Sequence, residues 1–553
     1  MLARGSSSFV LFTLLLLFTS TPAHAQWLTT TASDNPIYSG AGQQNNPLTV
    51  SDGAGGFVTV WRDQRTSGHT DLYAQSFDVN GFPKWTASGV VVDSTVGTMS
   101  AVDACPDDSG GMIVTWQRAN GATAGRVMAQ RLDANGQVRW GMSGVNAGTF
   151  GLTQSLPRVS EDGEGGAIVV WAQARGGSVY NVFGQRISAY GVRLWIASGD
   201  SLVARGEVRS LATCPRRGGG VWIAYWYSFG VPSVVAVDNA QARVFGSDSI
   251  TTAAWQSSPP GLQIVPSGDG AIAMMAGGLQ MHLRGFETPA GTWPASVRVV
   301  GTSHTQVGPL LASDDRDGAL LEWRDGRPGA GGLYVHRIGV DGTPLWTTDG
   351  VFVTNNYVSN GGGQSLCGDG AGGAWMAWNS STAGMAQHFR TDGGTWLPAG
   401  GLAYTVNGNT KNFTSGGGTL VKSANSSMIH VWATTLNAGT FNDIYAKRFF
   451  GNGSVSTTGV ETGRLDAPHL SLAAGPNPAR DLVQLRFALP RAGLVRLELF
   501  GLAGERVALL ADGVLAAGEH SRSWNGSLLA PGVYHARLVT ADGTATAKFV
   551  RVR

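Results

Sequence analysis

A short apolar segment that ends in tryptophan recurs along most of this chain, and this repeat constrains the fold more than any other feature. "GGFVTVW" (55–61) is the first copy, "GGMIVTW" (110–116) the second and "GGAIVVW" (165–171) the third. Apart from one gap of 97 residues, the copies follow at steps of 54 or 55 residues and end at Trp61, Trp116, Trp171, Trp226, Trp323, Trp378 and Trp432. "GDGAIAMMA" (268–276) lies in the gap and fits as a copy without its Trp. The sequence therefore predicts eight repeated units.

Each unit divides into four short strands. The second unit contains "SAVDAC", "MIVTWQ", "RVMAQRLD" and "VRWGMSGVNA", and the intervening Asp-Gly and Asn-Gly pairs favour tight hairpin turns. A charged fraction of only 14% and 80 Gly residues agree with a turn-rich all-β protein. Four antiparallel strands per unit are typical of a β-propeller blade. A solenoid is the competing interpretation, but its repeats are usually shorter than these.

The two ends of the repeat region complement each other. The eighth unit has three strands and then loses the pattern before its Trp-bearing fourth strand, whereas "QWLTTTASDNPIYSG" (26–40) resembles that missing strand. We therefore predict that a strand beginning near Trp27 pairs with the last unit and closes the ring, leaving no open sheet edge. The prediction is an all-β, eight-bladed β-propeller over residues 26–460. A seven-bladed ring is the alternative if the fifth unit is an insertion.

Residues 1–25 have the pattern of a secretory signal peptide. A positive residue, Arg4, precedes the apolar stretch "FVLFTLLLLFT", and "AHA" (23–25) predicts cleavage between Ala25 and Gln26. The apolar stretch is too short to span a bilayer, and no later segment is long enough for a transmembrane helix. We expect an exported protein that is secreted or attached to the outer cell surface.

The repeat stops before the C-terminal region. A linker over 461–470 leads into residues 471–553, where six or seven short strands predict an Ig-like β-sandwich. This region contains "PNP" (476–478), "LFGLAG" (499–504), "PGVY" (531–534) and basic last residues. In these motifs it resembles the C-terminal sorting domain of type IX secretion substrates, and also the Ig-like domain of flagellar hook-capping proteins. The resemblance implies recognition of 471–553 by a secretion machinery, delivery across the outer membrane, and removal of the domain with release or attachment of the protein at the cell surface. The alternative is a plain Ig-like adhesive domain that stays attached.

Cysteine and histidine give no indication of a metal site. Cys105, Cys214 and Cys367 fall at the end of the first strand in units two, four and seven, so equivalent positions in non-adjacent units keep them too far apart for disulfides. His282, His336 and His388 are single variants at strand positions where other units carry Gln or Arg. No His or Cys pair has metal-ligand spacing. We therefore predict no metal and no cofactor.

Acidic residues recur in the turn between the first and second strands. We expect them to cap their own turns, because a calcium loop would space several acids two apart and end in Glu. The predicted capping residues are Asp52, Asp108, Asp162, Asp269, Asp317 and Asp369. Their motif also has a loose similarity to the Asp-box of sialidase-type propellers, without an assignable set of catalytic residues.

The loops between second and third strands vary in length and sequence and share one end of the predicted ring. Variable loops on a rigid scaffold often carry function. The predicted ligand-binding residues in these loops are Arg62, Asp63, Arg65, His69, Arg118, Arg175, Arg324, Asp325 and Arg327. The alternative is that Asp63–Arg65 and Asp325–Arg327 are local salt bridges.

Charge and motifs restrict the function classes. A formal net charge of +2 without a basic run gives no indication of nucleic-acid binding, and no nucleophile elbow, zinc-protease motif or phosphate loop is present. We predict no catalytic residues and a monomeric binding or adhesion protein, with an extracellular polysaccharide or protein as partner. An extracellular glycan hydrolase or lyase, or a structural envelope protein, remains the alternative, because fold alone does not decide function.

Overall fold

The structure is a computed structural model of the whole chain. It describes residues 27, 35–66, 68–120, 125–148, 151–176, 179–196, 198–203, 206–228, 230–250, 261–277, 280–299, 304–358, 364–380, 383–404, 418–424, 427–434, 442–451, 471–475, 482–489, 493–501, 505–515, 518–525, 530–540 and 543–552. Within these ranges the regular structure is entirely β-strand, as predicted, and no helix there is long and apolar enough to cross a membrane. The chain divides into two compact units, Met1–Ser456 and Thr457–Arg553. The predicted signal peptide, its cleavage site at Ala25 and Gln26, the linker 461–470 and the motif at 476–478 lie outside the described residues.

The described part of the first unit contains 32 strands. In chain order they are β1 (Asn35–Tyr38), β2 (Gln44–Ser51), β3 (Phe57–Asp63), β4 (Asp71–Phe77), β5 (Val90–Asp93), β6 (Thr98–Pro106), β7 (Met112–Ala119), β8 (Arg126–Leu132), β9 (Val145–Asn146), β10 (Gln154–Glu161), β11 (Ala167–Gly176), β12 (Val179–Ile187), β13 (Asp200–Val203), β14 (Val208–Pro215), β15 (Val221–Tyr227), β16 (Ser233–Val237), β17 (Arg243–Ser249), β18 (Gly261–Ser267), β19 (Gly270–Gly277), β20 (Gln280–Phe286), β21 (Val297–Arg298), β22 (Gln306–Ser313), β23 (Ala319–Asp325), β24 (Gly332–Ile338), β25 (Val351–Thr354), β26 (Ser365–Gly368), β27 (Ala374–Asn379), β28 (Gly384–Phe389), β29 (Leu402–Ala403), β30 (Thr419–Lys422), β31 (Met428–Thr434) and β32 (Asp443–Phe449).

These strands form eight antiparallel four-stranded sheets of the kind that makes propeller blades. Seven sheets are built from four consecutive strands, from β2–β5 through to β26–β29. The eighth has the order β1-β32-β31-β30, so the strand nearest the N-terminus lies at the outer edge of the last sheet. The first strand of each sheet contacts the first strand of the next, and β30 contacts β2, which makes the contacts cyclic.

Apolar side chains pack between neighbouring sheets and form the core. Side chains alternate between the two faces of the second strand in each sheet. The Trp of that strand packs between its sheet and one neighbouring sheet, and Val, Ile or Ala residues on the other face pack against the neighbour on the other side. Trp61, Trp116, Trp171, Trp323 and Trp432 are each at most 1% exposed. The core is therefore distributed around the unit between successive sheets.

A second set of tryptophans joins six of the eight sheets to the next sheet through hydrogen bonds. The indole N–H of a Trp that precedes the fourth strand donates to a backbone carbonyl in the following sheet, at 2.9–3.2 Å. The donor and acceptor residues are Trp27 and Val79, Trp85 and Ala134, Trp140 and Ala189, Trp195 and Asn239, Trp293 and Val340, and Trp346 and Thr391. Trp27 occupies the equivalent position in the eighth sheet, in agreement with the sequence pattern that placed it there.

Aspartates cap the turns between first and second strands, as the sequence pattern suggested. One carboxylate oxygen accepts the backbone N–H groups two and four residues later at 2.6–2.9 Å, and the capping residues are Asp52, Asp107, Asp162, Asp314 and Asp369. The predictions of Asp108 and Asp317 were wrong, because the cap must lie four residues before the Gly that directly precedes the next strand, and Asp107 and Asp314 have that spacing. Asp269 was also wrong, since it lies in a two-residue turn between Ser267 and Gly270 that leaves no room for this cap.

The second unit contains two antiparallel sheets around one core. Its strands are β33 (Ser471–Gly475), β34 (Leu482–Leu489), β35 (Gly493–Phe500), β36 (Arg506–Leu515), β37 (Gly518–Asn525), β38 (Gly532–Thr540) and β39 (Gly543–Arg551). One sheet has the order β33-β34-β37 and the other β36-β35-β38-β39. Leu485 and Phe487 of the first sheet and Leu497 and Leu538 of the second belong to the same buried cluster. The two sheets therefore pack face to face, as in a β-sandwich.

Candidate functional site

The predicted ligand-binding residues lie at the end of the first unit that carries the loops between second and third strands. In the first sheet, the buried Asp63 ends β3 and accepts hydrogen bonds from the Arg65 guanidinium at 2.6 and 2.9 Å and from the Trp61 indole at 2.8 Å. The guanidinium carbon of Arg65 lies 3.9 Å from the ring centre of Tyr38 and 3.6 Å from that of Tyr73. Burial lowers the pKa of Arg65, but the hydrogen bond to Asp63 together with the charges of Asp63, Tyr38 and Tyr73 raises it overall.

The sixth sheet repeats this arrangement. Asp325 accepts from Arg327 at 2.8 and 2.9 Å and from Trp323 at 3.0 Å, and Arg327 lies over the ring of Tyr334 at 4.0 Å. Burial tends to raise the pKa of Asp325, but the hydrogen bonds from Arg327 and Trp323 hold it below its usual value. Both carboxylate–arginine pairs are therefore local salt bridges, the alternative that the sequence left open.

The remaining predicted residues are distributed over several sheets. Arg118 pairs with Asp93, which also accepts from the Trp116 indole at 3.1 Å. Arg175 lies over Phe183 at 5.0 Å, and His69 Nδ1 lies 2.8 Å from an oxygen of Asp71. Arg62 and Arg324 occupy equivalent positions on β3 and β23, and burial lowers the pKa of Arg62. The structure joins Asp63 with Arg65 and Asp325 with Arg327 and places the other residues at separate positions at this end.

A cavity of about 640 Å³ lies at the opposite end of the same unit, where the capped turns follow the first strands. Its lining comes from the second to the sixth sheets and combines charged and polar side chains with glycine and proline. The lining residues are Asp108, Glu161, Asp162, Gly163, Glu164, Pro215, Arg216, Arg217, Gly218, Gly219, Asn239, Pro266, Gly268, Ser313, Asp315 and Asp317. The sequence pattern did not predict this cavity.

Two acids in this lining differ from ordinary surface carboxylates. Burial raises the pKa of Glu161, and the nearby Asp108 raises it further. Burial also raises the pKa of Asp108, together with the charges of Asp107 and Asp162. Groups with shifted pKa values in a concave site are candidates for ligand binding or proton transfer.

Three other acids of the cavity lining are in ion pairs. Arg186 bridges the lining acids Asp162 and Glu164 at 2.8 and 2.6 Å. Lys422 pairs with Asp315, which lies in the turn of the sixth sheet. Asp108, Asp315 and Asp317 have φ angles of 60–64°, a left-handed conformation that Asp tolerates better than most residues. Carboxylate, guanidinium and amide groups thus line one open cavity.

No protein-family model matches this chain, and no curated protein matches its sequence. Solved structures do resemble it. A lectin from Burkholderia pseudomallei has 11% identity and a TM-score of 0.44, and the match covers 65% of this chain and 98% of the lectin. PorZ, a surface component of the type IX secretion system of Porphyromonas gingivalis, has 12% identity and a TM-score of 0.32, with 92% of this chain and 70% of PorZ covered. An α-L-arabinanase from Penicillium chrysogenum has 11% identity and a TM-score of 0.34, with 57% and 98% covered.

The described residues give no support for a resident metal. No group of three or more His, Cys, Asp or Glu side chains within them is placed to hold an ion. The three cysteines are free thiols, and burial raises the pKa of Cys105 and Cys214 well above the usual value. Such thiols remain protonated and are poor nucleophiles and ligands. The side chains that line the cavity offer hydrogen bonding, ion pairing and proton transfer by carboxyl groups.

Proposed function

We propose that this chain is an exported binding protein, secreted or held at the cell surface, whose eight sheets are the blades of one closed propeller. The cyclic contacts between first strands and the pairing of β1 with β32 support a single ring. Residues 1–25 are its signal peptide, residues 26–460 the propeller and residues 471–553 an Ig-like sorting domain for type IX secretion. A secretion machinery and one extracellular ligand are its partners.

The observation that carries the binding function is the cavity at the end of the first unit where the capped turns lie. Its volume of about 640 Å³ lies in the range of small-ligand sites. The described lining has no aromatic residue, so hydrogen bonds and charge would dominate recognition. We propose that the ligand is a polar segment of a polysaccharide or protein.

The sequence-based prediction places ligand contact at the opposite end, which carries the loops between second and third strands and is called the loop end. This prediction is the weaker of the two. Arg65, Arg118 and Arg327 already donate to buried carboxylates, and Arg65 and Arg327 also stack on tyrosines. A ligand there would have to compete with these ion pairs. Arg217 is an exposed residue of the cavity lining, and within the described structure no ion pair has to break before it can bind a ligand.

A second candidate function is hydrolysis or lysis of an extracellular glycan. It is favoured by Asp108 and Glu161, two carboxyl groups of one cavity whose pKa values are both raised. Glycosidases use a pair of carboxyl groups, and the one that acts as general acid needs a raised pKa.

The test is binding of the full chain to a panel of soluble extracellular polysaccharides and charged peptides, with the polysaccharides sized after incubation. We expect Arg217→Gln and Glu161→Gln to weaken binding about tenfold, the loss of one charge-assisted hydrogen bond. Arg62→Gln is the matched control at the loop end, and it should bind normally. Loss of binding in Arg62→Gln alone would move the site to the loops, and absence of binding to every probe would refute the binding function.

The same incubation separates the second candidate from the first. Shortened products that disappear in Glu161→Gln would establish the glycan-acting enzyme and overturn the purely binding role. Binding without shortening would exclude the enzyme for the polysaccharides tested. Deletion of residues 471–553 tests the sorting domain separately, because the chain should then enter the periplasm but fail to reach the medium or the cell surface.

A further inference from the structure

The four-stranded sheet of the second unit has one buried face and one exposed face. Along β35, Val495, Leu497 and Leu499 point into the core. The intervening Leu494, Arg496, Glu498 and Phe500 therefore lie on the opposite face, because side chains alternate along a strand. We call this opposite face, with its cross-strand neighbours on β36, β38 and β39, the outer face.

Three arginines on the outer face converge on one glutamate. Arg496, Arg506 and Arg537 each donate to the carboxylate of Glu498, at 3.1, 3.2 and 3.2 Å. Each arginine side chain is still 47–52% exposed, whereas that of Glu498 is only 6% exposed. One guanidinium would neutralise Glu498, so the other two leave an excess of positive charge at the surface.

Further cations extend this charge across the sheet. Phe500 is opposite Arg506 on one side and His535 on the other, and His535 is opposite Lys548. Asp512, opposite Arg496, is a second acid on the described outer face. Four permanent cations and two acids give the described outer face a net charge of +2 with His535 neutral. Arg537 also lies over the Phe500 ring at 4.8 Å.

The other end of the outer face is aliphatic. Leu494 and Val514 are cross-strand partners and are 69% and 72% exposed. Val539 is opposite Arg496, and Leu509 is opposite Glu498. Single exposed apolar residues are ordinary, but adjacent ones that form a contiguous patch are a feature of surfaces that bind a partner or a membrane.

We propose that the outer face binds an anionic lipid surface, with the arginines and Lys548 at the headgroups and Leu494 and Val514 in the shallow apolar region. Cations beside exposed aliphatic side chains are the features that drive attachment to such a surface. A polyanionic polysaccharide would satisfy the cations but would gain little from Leu494 and Val514. The combination therefore favours lipid over polysaccharide.

The experiment measures binding of the full chain to vesicles of phosphatidylcholine with phosphatidylglycerol, and to vesicles of phosphatidylcholine alone. We expect binding only to the anionic vesicles, and weaker binding at high salt. Arg506→Gln should weaken binding about fivefold, and Glu498→Gln, which removes an acid from the same cluster, should strengthen it about fivefold. Arg139→Gln is the matched control, because Arg139 is 49% exposed and ion-paired but lies in the first unit.

The double variant Leu494→Ser with Val514→Ser tests the aliphatic end without touching the charge cluster. It should weaken binding to anionic vesicles and leave binding to soluble dextran sulfate unchanged. Tight binding to dextran sulfate with none to vesicles would overturn the lipid proposal in favour of a polyanionic polysaccharide. Equal vesicle binding by wild type, Arg506→Gln and Glu498→Gln would mean that the cluster only stabilises the sheet.

Discussion

Glu322 is an ionisable residue in a core position, and its burial predicts how the stability of the protein depends on pH. The equivalent residues of the other sheets are Val60, Thr115, Val170, Tyr225, Met274, Ala377 and Val431. Glu322 is fully buried opposite Leu310 and Val335, and neither carboxylate oxygen has a hydrogen-bond partner in the described structure. Burial raises its pKa to about 8, although the charge of Arg324 opposes the shift.

The direction and size of the effect follow from this pKa. The unfolded chain loses the Glu322 proton near pH 4.5, whereas the folded chain keeps it until about pH 8. Between these values the folded state binds more protons, so its stability falls as pH rises. The contribution of Glu322 to the unfolding free energy falls by about 1.4 kcal/mol per pH unit, or by roughly 4 kcal/mol between pH 5 and pH 8.

The perturbation is Glu322→Gln, which keeps the size and polarity of the side chain and removes its titration. From pH 5 to pH 8 the wild type should lose roughly 4 kcal/mol of unfolding free energy that the variant keeps. The unfolding free energy of the variant minus that of the wild type should therefore rise by this amount. Urea denaturation at several pH values measures it. Glu164→Gln is the control, because that side chain is 67% exposed and should give a much flatter profile.

The result that would refute this reasoning is a difference between Glu322→Gln and wild type that stays constant over the whole pH range. It would mean that Glu322 has the same pKa in both states and is therefore not desolvated. Glu322→Leu provides a second measurement, because it should also be more stable than wild type at pH 8 if apolar neighbours surround the site.

Three further predictions concern packing and capping. Trp27→Ala should lower the unfolding free energy by about 3–5 kcal/mol, since it removes a buried indole from the eighth sheet; thermal unfolding measures this. Asp162→Ala should cost about 3 kcal/mol in chemical denaturation, because it leaves two turn N–H groups without their acceptor and removes one of the two acids that bind Arg186. Arg65→Ala should cost a similar amount, about 3 kcal/mol, by leaving the buried Asp63 without its cation, and adding Asp63→Asn should recover part of that loss.

The repeat made most of the fold predictable, even where one copy is degenerate. In the fifth unit Met275 stands where the other units carry Trp, yet β18–β21 still form a four-stranded sheet. The pattern of small and apolar residues around the missing Trp was enough to specify the strand. Asp108 was predicted in place of Asp107 because either aspartate could cap the turn, and only the spacing to Gly111 distinguishes them.

The candidate site was less predictable because the residues that line the cavity come from several sheets. The variable loops predict ligand binding at the other end, where Asp63 and Arg65 and their counterparts in the sixth sheet form local salt bridges. The cavity lies among turns of similar length, and its charged residues, such as Glu161 and Arg217, differ from unit to unit. Such differences within an otherwise regular turn were the feature that could have indicated it.

The position of β1 has a consequence for the order of assembly. This strand lies near the N-terminus but completes the sheet formed by β30, β31 and β32. A chain that emerges from a ribosome or a membrane channel with its N-terminus first must carry β1 unpaired until β32 has been delivered. An exposed strand edge of this kind can pair with other chains, so aggregation competes with folding during the interval before closure.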